Sequence, residues 1–130
     1  MSEPVPLIIN NQNVQTKEVF NVENPKDGNF LWNVSSAGLA EVETAAEAAE
    51  AASSAWTSLS YTIRRDLLIK AADIIRESRA DIVTTLREET AAGEGWAAWD
   101  IDAAVATIKD AASHVSSNNG VIPPTDDSNF

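Results

Sequence analysis

Residues 39–56 read LAEVETAAEAAEAASSAW, and this segment establishes the helical character of the chain. Leu39, Val42, Ala46, Ala49 and Trp56 recur at helical spacing, which places them on one face at 3.6 residues per turn. The glutamates of the segment fall on the solvent side. Because the apolar stripe consists mostly of methyl groups, a neighbouring helix can approach closely. We therefore expect this helix to be the element beside which the later helices pack.

Composition limits the classes of function that are open to the chain. A length of 130 residues with 44% hydrophobic residues suits one domain, 1–130, with a modest core. The net charge of −11 would repel nucleic acid and anionic membrane surfaces, so we expect neither as a partner. The chain has no cysteine, which excludes disulfides, thiolate metal ligands and a cysteine nucleophile. No stretch approaches the roughly 20 apolar residues of a membrane span, and the first residues lack a signal-peptide pattern, so we expect a cytoplasmic protein.

The first 34 residues have the pattern of short strands. Asn10 and Asn11 lie between two apolar runs and predict a β-hairpin, because asparagine tolerates the positive φ of hairpin turns. Asn24-Pro-Lys-Asp-Gly28 predicts a turn in which proline fixes φ and glycine takes the left-handed position. The predicted strands are residues 7–9, a returning strand from Val14, residues 18–22 and residues 30–34.

Two further helices follow the alanine-rich one. Ser60 is a candidate N-cap for the second helix, whose apolar stripe of Ile63, Leu67, Ala71 and Ile74 has helical spacing. Ser78-Arg-Ala-Asp81 resembles a capping box, with aspartate in place of glutamate, and predicts the start of a third helix. That helix should end at residues 91–95, where two glycines loosen the backbone.

A fourth helix is predicted from about Trp96 to Asn118, with an Asn118-Asn-Gly120 terminus that permits left-handed backbone. Its aliphatic stripe includes Ile101, Val105 and Ile108. The predicted fold class is therefore α+β and mainly α. An N-terminal β-hairpin and short strands precede about four helices in a small bundle.

Several short motifs occur in a specific order along the chain. They are Ile8-Ile-Asn10, Asn24-Pro25 with Gly28, Ala55-Trp56, Arg65 with Leu67-Leu68, Ala71-Ala-Asp73, Glu89-Thr90, Glu94-Gly-Trp96 and Gly120-Val-Ile-Pro123. Together they resemble the N-terminal segment of the aldehyde dehydrogenase superfamily, and most closely its salicylaldehyde and vanillin dehydrogenase-like branch. The resemblance spans residues 7–124 and leaves residues 125–130 as a polar tail. In one departure, the family's Glu-Thr-Gly is replaced by Glu89-Thr90-Ala91, with glycine displaced to Gly93.

The resemblance implies a truncated protein without dehydrogenase activity of its own. The family's nucleotide-binding glycine motif, its ribose-binding lysine, its general-base glutamate and its nucleophilic cysteine all follow the segment resembled here. We therefore expect no cofactor and no metal, and a role as an assembly or binding module. The expected partners are a second copy, in a homodimer or larger assembly, or a longer dehydrogenase relative.

Two sets of charged residues are candidate binding sites, and each can also be explained as an ordinary solvated surface. Arg64 and Arg65 offer guanidinium groups suited to binding a carboxylate, although such a pair is more often solvated or paired with nearby acidic residues. An acidic cluster could bind a hard cation, but its spacing matches no calcium loop, which favours a solvated face. The cluster consists of Glu89, Glu94, Asp100 and Asp102.

The fourth helix has a second face that suggests an alternative function. Asp110 and His114 are four residues apart and so are neighbours on a helix, where they can share a proton as candidate catalytic acid and base. Trp96, Trp99, Ala103 and Thr107 continue this face as candidate substrate-binding residues. The alternative is thus a repurposed, cofactor-independent biosynthetic enzyme, an isomerase, cyclase or aldol-type catalyst, that binds a small aromatic or polyketide-like ligand. In the plainer interpretation, the tryptophans cover a core or dimer contact while Asp110 and His114 lie in water.

Overall fold

The computed structural model describes residues 3–117 and residue 120. Two pairs of short strands precede four helices, so the α+β, mainly helical class is confirmed. The predicted helix end at Asn118-Asn119, the Val121–Pro124 part of the resemblance and the tail 125–130 lie outside the described residues. The elements are β1 Leu7–Ile9, β2 Gln12–Val14, β3 Val19–Glu23, β4 Phe30–Ser35, α1 Leu39–Ser58, α2 Tyr61–Glu77, α3 Arg79–Thr90 and α4 Glu94–His114.

The first hairpin forms as predicted. Strands β1 and β2 are antiparallel, and Ile9 pairs with Gln12 across a two-residue turn. Asn10 and Asn11 have φ values of 50° and 60°. Two consecutive left-handed residues are what a type I′ turn requires, and asparagine reaches this region at low cost.

The second strand pair joins β3 and β4 in antiparallel register, with a bulge between Val22 and Glu23. The predicted turn before β4 contains Gly28 at a φ of 71°. On the other side of β4, Val5 forms a parallel bridge to Val34. β4 is therefore central, while among the described residues the outer edge of β3 has no strand partner.

The helical core lies where α2 and α3 pack against α4. Small residues dominate it: Ala72 and Ala97 are fully buried, and Ala112 and Ile101 are 2% and 7% exposed. α2 runs antiparallel to α4: Asp73 of α2 is 3.1 Å from the Lys109 ammonium of α4, whereas Arg64, nine residues earlier, shares a cavity with Val115, six residues later. Because alanine side chains are short, the helix axes can approach closely.

The prediction that the later helices pack beside α1 was wrong. None of the described α1 residues is buried, and its main contact is with β1. The stripe that we expected to face other helices is open to solvent, with Leu39 75%, Val42 57% and Trp56 44% exposed. The physical reason is that α4 buries Ala97, Ile101 and Ala112 against α2 and α3, so these three helices, and not α1, form the described core.

The helix ends test three capping predictions. Ser60 caps α2 as predicted, because its hydroxyl oxygen accepts the Ile63 N–H at 3.4 Å. The prediction of a capping box at Ser78 was wrong. The Ser78 side chain accepts no hydrogen bond from the first turn of α3, and its φ and ψ of −87° and 8° are near helical rather than extended. α4 ends at His114, four residues before the predicted Asn118. The end of α3 has Ala91 in left-handed backbone, at φ 55° and ψ 21°.

Candidate functional site

The predicted substrate-binding tryptophans lie at the beginning of α4. Their ring centroids are 6.4 Å apart at an interplanar angle of 50°. Trp96 is 57% and Trp99 62% exposed, so the pair forms an open aromatic surface. Farther along the helix, Ala103 is half-buried and Thr107 is exposed.

The predicted acid and base lie at the other end of α4. The Nδ1 atom of His114 is 2.9 Å from the backbone carbonyl oxygen of Asp110 and 3.8 Å from its carboxylate. A carbonyl oxygen only accepts, so the shorter contact requires the proton on Nδ1, while the carboxylate lies beyond hydrogen-bonding distance. Both side chains are well exposed, at 69% and 77%. The geometry leaves Nε2 of His114 available to a ligand.

The two groups of candidate residues are separated along the helix. Asp110 follows Trp99 by eleven positions, a rise of about 16 Å at 1.5 Å per residue. A ligand that touches both groups must have about that length. The proposed roles of the two groups in one reaction stay predictions.

A cavity of about 560 Å³ lies where the end of α1, the beginning of α2 and the end of α4 meet. Of the six predicted site residues, His114 alone lines this cavity, and its aromatic wall is Trp56 rather than Trp96 or Trp99. The cavity joins residues almost sixty positions apart, so no local sequence pattern reveals it. The described lining residues are Trp56, Arg64, Leu68, Ala111, His114, Val115 and Ser117.

The two adjacent arginines of α2 have different environments. Arg65 is 2.8 Å from the Asp66 carboxylate and is exposed, as the plainer interpretation expected. Arg64 is half-buried and lines the cavity. Its Nε atom is buried, and no hydrogen-bond acceptor for it is found in the part of the chain that the structure describes. Of the two arginines, Arg64 lines the cavity and Arg65 does not, so carboxylate binding stays a prediction for Arg64.

Part of the acidic cluster is engaged in ion pairs. Asp102 accepts two hydrogen bonds of 2.9 Å from Arg79, which lower the pKa of the aspartate and raise the pKa of the arginine. Glu94 is 3.5 Å from Arg87. Within residues 3–117 no group of three or more potential ligands is placed to hold a metal ion. Over the same residues, no helix has the length and apolar character needed to cross a membrane.

A nicotinamide nucleotide does not fit the described residues. Gly93-Glu-Gly95-Trp-Ala-Ala98 has the spacing of a dinucleotide-binding turn with alanine in the last position. That motif requires a preceding strand, whereas here α3 precedes it, and Glu94 in the first turn of α4 would repel a phosphate. Both described strand pairs are antiparallel, so they lack the parallel βαβ unit of such sites.

Comparison with known proteins gives one consistent result. The model of the aldehyde dehydrogenase family matches residues 11–130. Vanillin dehydrogenase from Pseudomonas fluorescens is 30% identical over 94% of this chain, and salicylaldehyde dehydrogenase from Pseudomonas putida is 27% identical over 92%. The match covers 26% and 25% of those relatives, so the chain spans about a quarter of their length.

The solved structures agree with the sequence matches. An NAD-dependent benzaldehyde dehydrogenase from Corynebacterium glutamicum superposes with a TM-score of 0.87 and 26% identity, over 98% of this chain and 28% of that protein. A salicylaldehyde dehydrogenase from Pseudomonas putida in complex with salicylaldehyde gives a TM-score of 0.85 over 95% of this chain and 26% of that protein. On both the sequence and the structural likeness, the chain belongs to the aldehyde dehydrogenase family.

Proposed function

We propose that this chain is a non-catalytic assembly module, whose apolar surfaces bind the remaining part of an aldehyde dehydrogenase fold. The observation that supports it is the imbalance between exposed and buried apolar residues. Among the described residues, fifteen large hydrophobic side chains are exposed and four hydrophobic residues are buried. Apolar surface of this extent marks a binding interface more often than a free surface.

The occupant of these surfaces follows from the length of the relatives. Almost three quarters of the Corynebacterium glutamicum benzaldehyde dehydrogenase lies outside the matched portion. A polypeptide that carries such a portion has the size needed to cover both the α1 stripe and the Trp96–Trp99 pair. A second copy of this chain is the competing occupant, because a symmetric contact would use one surface twice.

Dehydrogenase chemistry is not part of the proposed role. Aldehyde oxidation by a cysteine enzyme begins with a thiolate that adds to the aldehyde carbonyl, and this chain has no cysteine. A nicotinamide must also accept the hydride, and the described residues do not fit that group. The chain would therefore contribute structure to an assembly, and its partner would contribute the reacting groups.

Co-expression tests the proposal. The chain is produced with a Pseudomonas fluorescens vanillin dehydrogenase that lacks its matching quarter, and the purified sample is examined by size-exclusion chromatography with light scattering. We expect a complex with one copy of each chain. The double substitution Leu39→Gln and Val42→Gln should weaken it, because two of the three exposed large apolar side chains of the α1 stripe are lost. Glu43→Gln, a substitution on the polar side of the same helix, is the matched control.

Two outcomes would contradict the proposal. One is a chain that stays at its monomer mass of 13.9 kDa in the presence of the truncated relative. The other is a homodimer that persists in that mixture, which would favour self-association instead. A complex that forms equally well with the double substitution would show that α1 is not the contact surface.

A second candidate function is a cofactor-independent biosynthetic enzyme. One observation favours it: His114 lines the cavity between α1, α2 and α4, where its Nε2 atom can meet a ligand. Turnover of an aromatic or polyketide-like compound by the purified chain, abolished in a folded His114→Ala variant, would support this function. A His114→Ala variant with unchanged turnover would exclude it for this histidine.

A further inference from the structure

We propose that the cavity between α1, α2 and α4 is a binding site for a small aromatic carboxylate, with Arg64 as the anion-binding residue. No relative or family match assigns this site. The proposal concerns binding by the free chain, and its test uses no assembly partner. It rests on the buried Nε of Arg64, on the apolar walls of the cavity and on the absence of carboxylates from its described lining residues.

The state of Arg64 indicates an anionic ligand. Its guanidinium is partly withdrawn from water, and its buried Nε lacks an acceptor in residues 3–117. No ion pair of Arg64 is found within the described part of the chain, whereas its neighbour Arg65 pairs with Asp66. A partly desolvated charge without a counter-charge is unfavourable, and a bound anion relieves that cost. The planar guanidinium favours a carboxylate, which it can bind through two parallel hydrogen bonds.

The rest of the cavity indicates an apolar, flat body attached to that carboxylate. Trp56 supplies an aromatic wall, and the side chains of Leu68 and Val115 line the cavity from α2 and the end of α4. An aromatic ring can stack on an indole face or contact its edge, which adds to the gain from burial. The volume of about 560 Å³ lies within the range of small-molecule sites.

Two further polar groups line the cavity, and Arg64 remains the donor for the carboxylate. The hydroxyl of Ser117 donates to the carbonyl oxygen of His114, so it presents only lone pairs to a ligand. His114 is held through Nδ1 by the Asp110 carbonyl, so its Nε2 is likewise an acceptor. Asp66 and Asp110, which neighbour Arg65 and Ala111 in sequence, are not among the described cavity-lining residues. Among the described residues the lining thus contains a cation and no carboxylate, although the whole chain carries a net charge of −11.

Calorimetric titration of the full chain with benzoate tests the site. We expect saturable binding of benzoate, with benzamide and acetate at least about tenfold weaker, because the first lacks the charge and the second lacks the ring. Arg64→Gln should weaken benzoate binding by at least about tenfold. Arg65→Gln is the matched control, one residue away and outside the lining, and its affinity should stay within about twofold of the parent.

A second variant keeps the test decisive if Arg64→Gln does not fold. Ala111 is exposed on α4 and lines the cavity, so Ala111→Trp fills the space without changing any charge. We expect it to fold, as judged by circular dichroism, and to lose benzoate binding. The proposal is overturned by equal benzoate affinity in Arg64→Gln and Arg65→Gln, by unchanged binding in Ala111→Trp, by benzamide binding as tight as benzoate, or by no saturable heat.

Discussion

Ala91→Gly should stabilise the protein. Ala91 ends α3 in left-handed backbone, at φ 55° and ψ 21°, in the turn where the related Glu-Thr-Gly sequence has glycine. An alanine Cβ costs about 1–2 kcal/mol in this conformation, and glycine adopts it without that cost. Glycine also has more freedom in the unfolded chain, which offsets about 0.5–1 kcal/mol of the gain. The expected net increase in the free energy of unfolding is therefore about 0.8 kcal/mol, the midpoint of a range of about 0–1.5 kcal/mol.

The other interactions of this turn do not depend on the alanine methyl group. The Thr90 hydroxyl donates to the Leu86 carbonyl at 2.6 Å and accepts the Ala92 N–H at 3.3 Å. Ala91 is exposed, so its methyl group contributes little burial. Relief of the left-handed backbone strain therefore outweighs the loss of the methyl group when glycine replaces Ala91.

Thermal unfolding followed by circular dichroism measures the effect. For a domain of this size, the expected gain corresponds to a rise in Tm of about 1–5 °C. Ala92→Gly is the matched control, because Ala92 is not among the residues with positive φ, so the same substitution there brings the unfolded-state cost and the loss of a half-buried methyl group without any relief of strain. We expect Ala92→Gly to lower the Tm. A fall in Tm for Ala91→Gly as large as that for Ala92→Gly would refute the reasoning.

Three further predictions follow from the capping, the ion pairs and the composition. Ser60→Ala should lower the free energy of unfolding by about 1 kcal/mol in chemical denaturation, since the Ile63 N–H loses its acceptor; an unchanged midpoint would contradict the capping role. Arg79 lowers the pKa of Asp102, so this pair stabilises the fold above the ordinary aspartate pKa, and that contribution is lost as the pH falls through the lowered value. Asp102→Asn should therefore weaken the acid-side dependence of the Tm, and an identical pH profile would count against it. The purified chain should not reduce NAD(P) with vanillin or salicylaldehyde, and turnover above a protein-free blank, followed by absorbance, would overturn that expectation.

Two turns and the start of one helix could be predicted from residues that are close together in the sequence. Asn10 and Asn11 determine the first hairpin turn, Gly28 determines the second, and Ser60 marks the start of α2. Each of these signals acts within a few residues, so the sequence alone contains it. The element that packs against α1 was not predictable in the same way, because helix pairing depends on how much apolar surface each possible pair of helices would bury.

For the candidate site, the sequence could predict only which residues of one helix are neighbours. Helical periodicity places Asp110 next to His114, because positions i and i+4 are neighbours on any helix. The cavity depends on the packing of three helices, which brings Trp56 and Arg64 to the end of α4. The separate environments of Arg64 and Arg65 have the same origin, because adjacent residues on a helix point in different directions.

The outer edge of β3 has a consequence for handling the protein. This edge presents backbone donors and acceptors beside two exposed apolar side chains, Val19 at 43% and Phe20 at 52%. Another molecule can add a strand there, which is the first step of aggregation by edge-to-edge pairing. Between molecules, the net charge of −11 opposes that approach. As acid protonates the carboxylates this repulsion fades, so we expect edge-to-edge aggregation to increase as the pH falls.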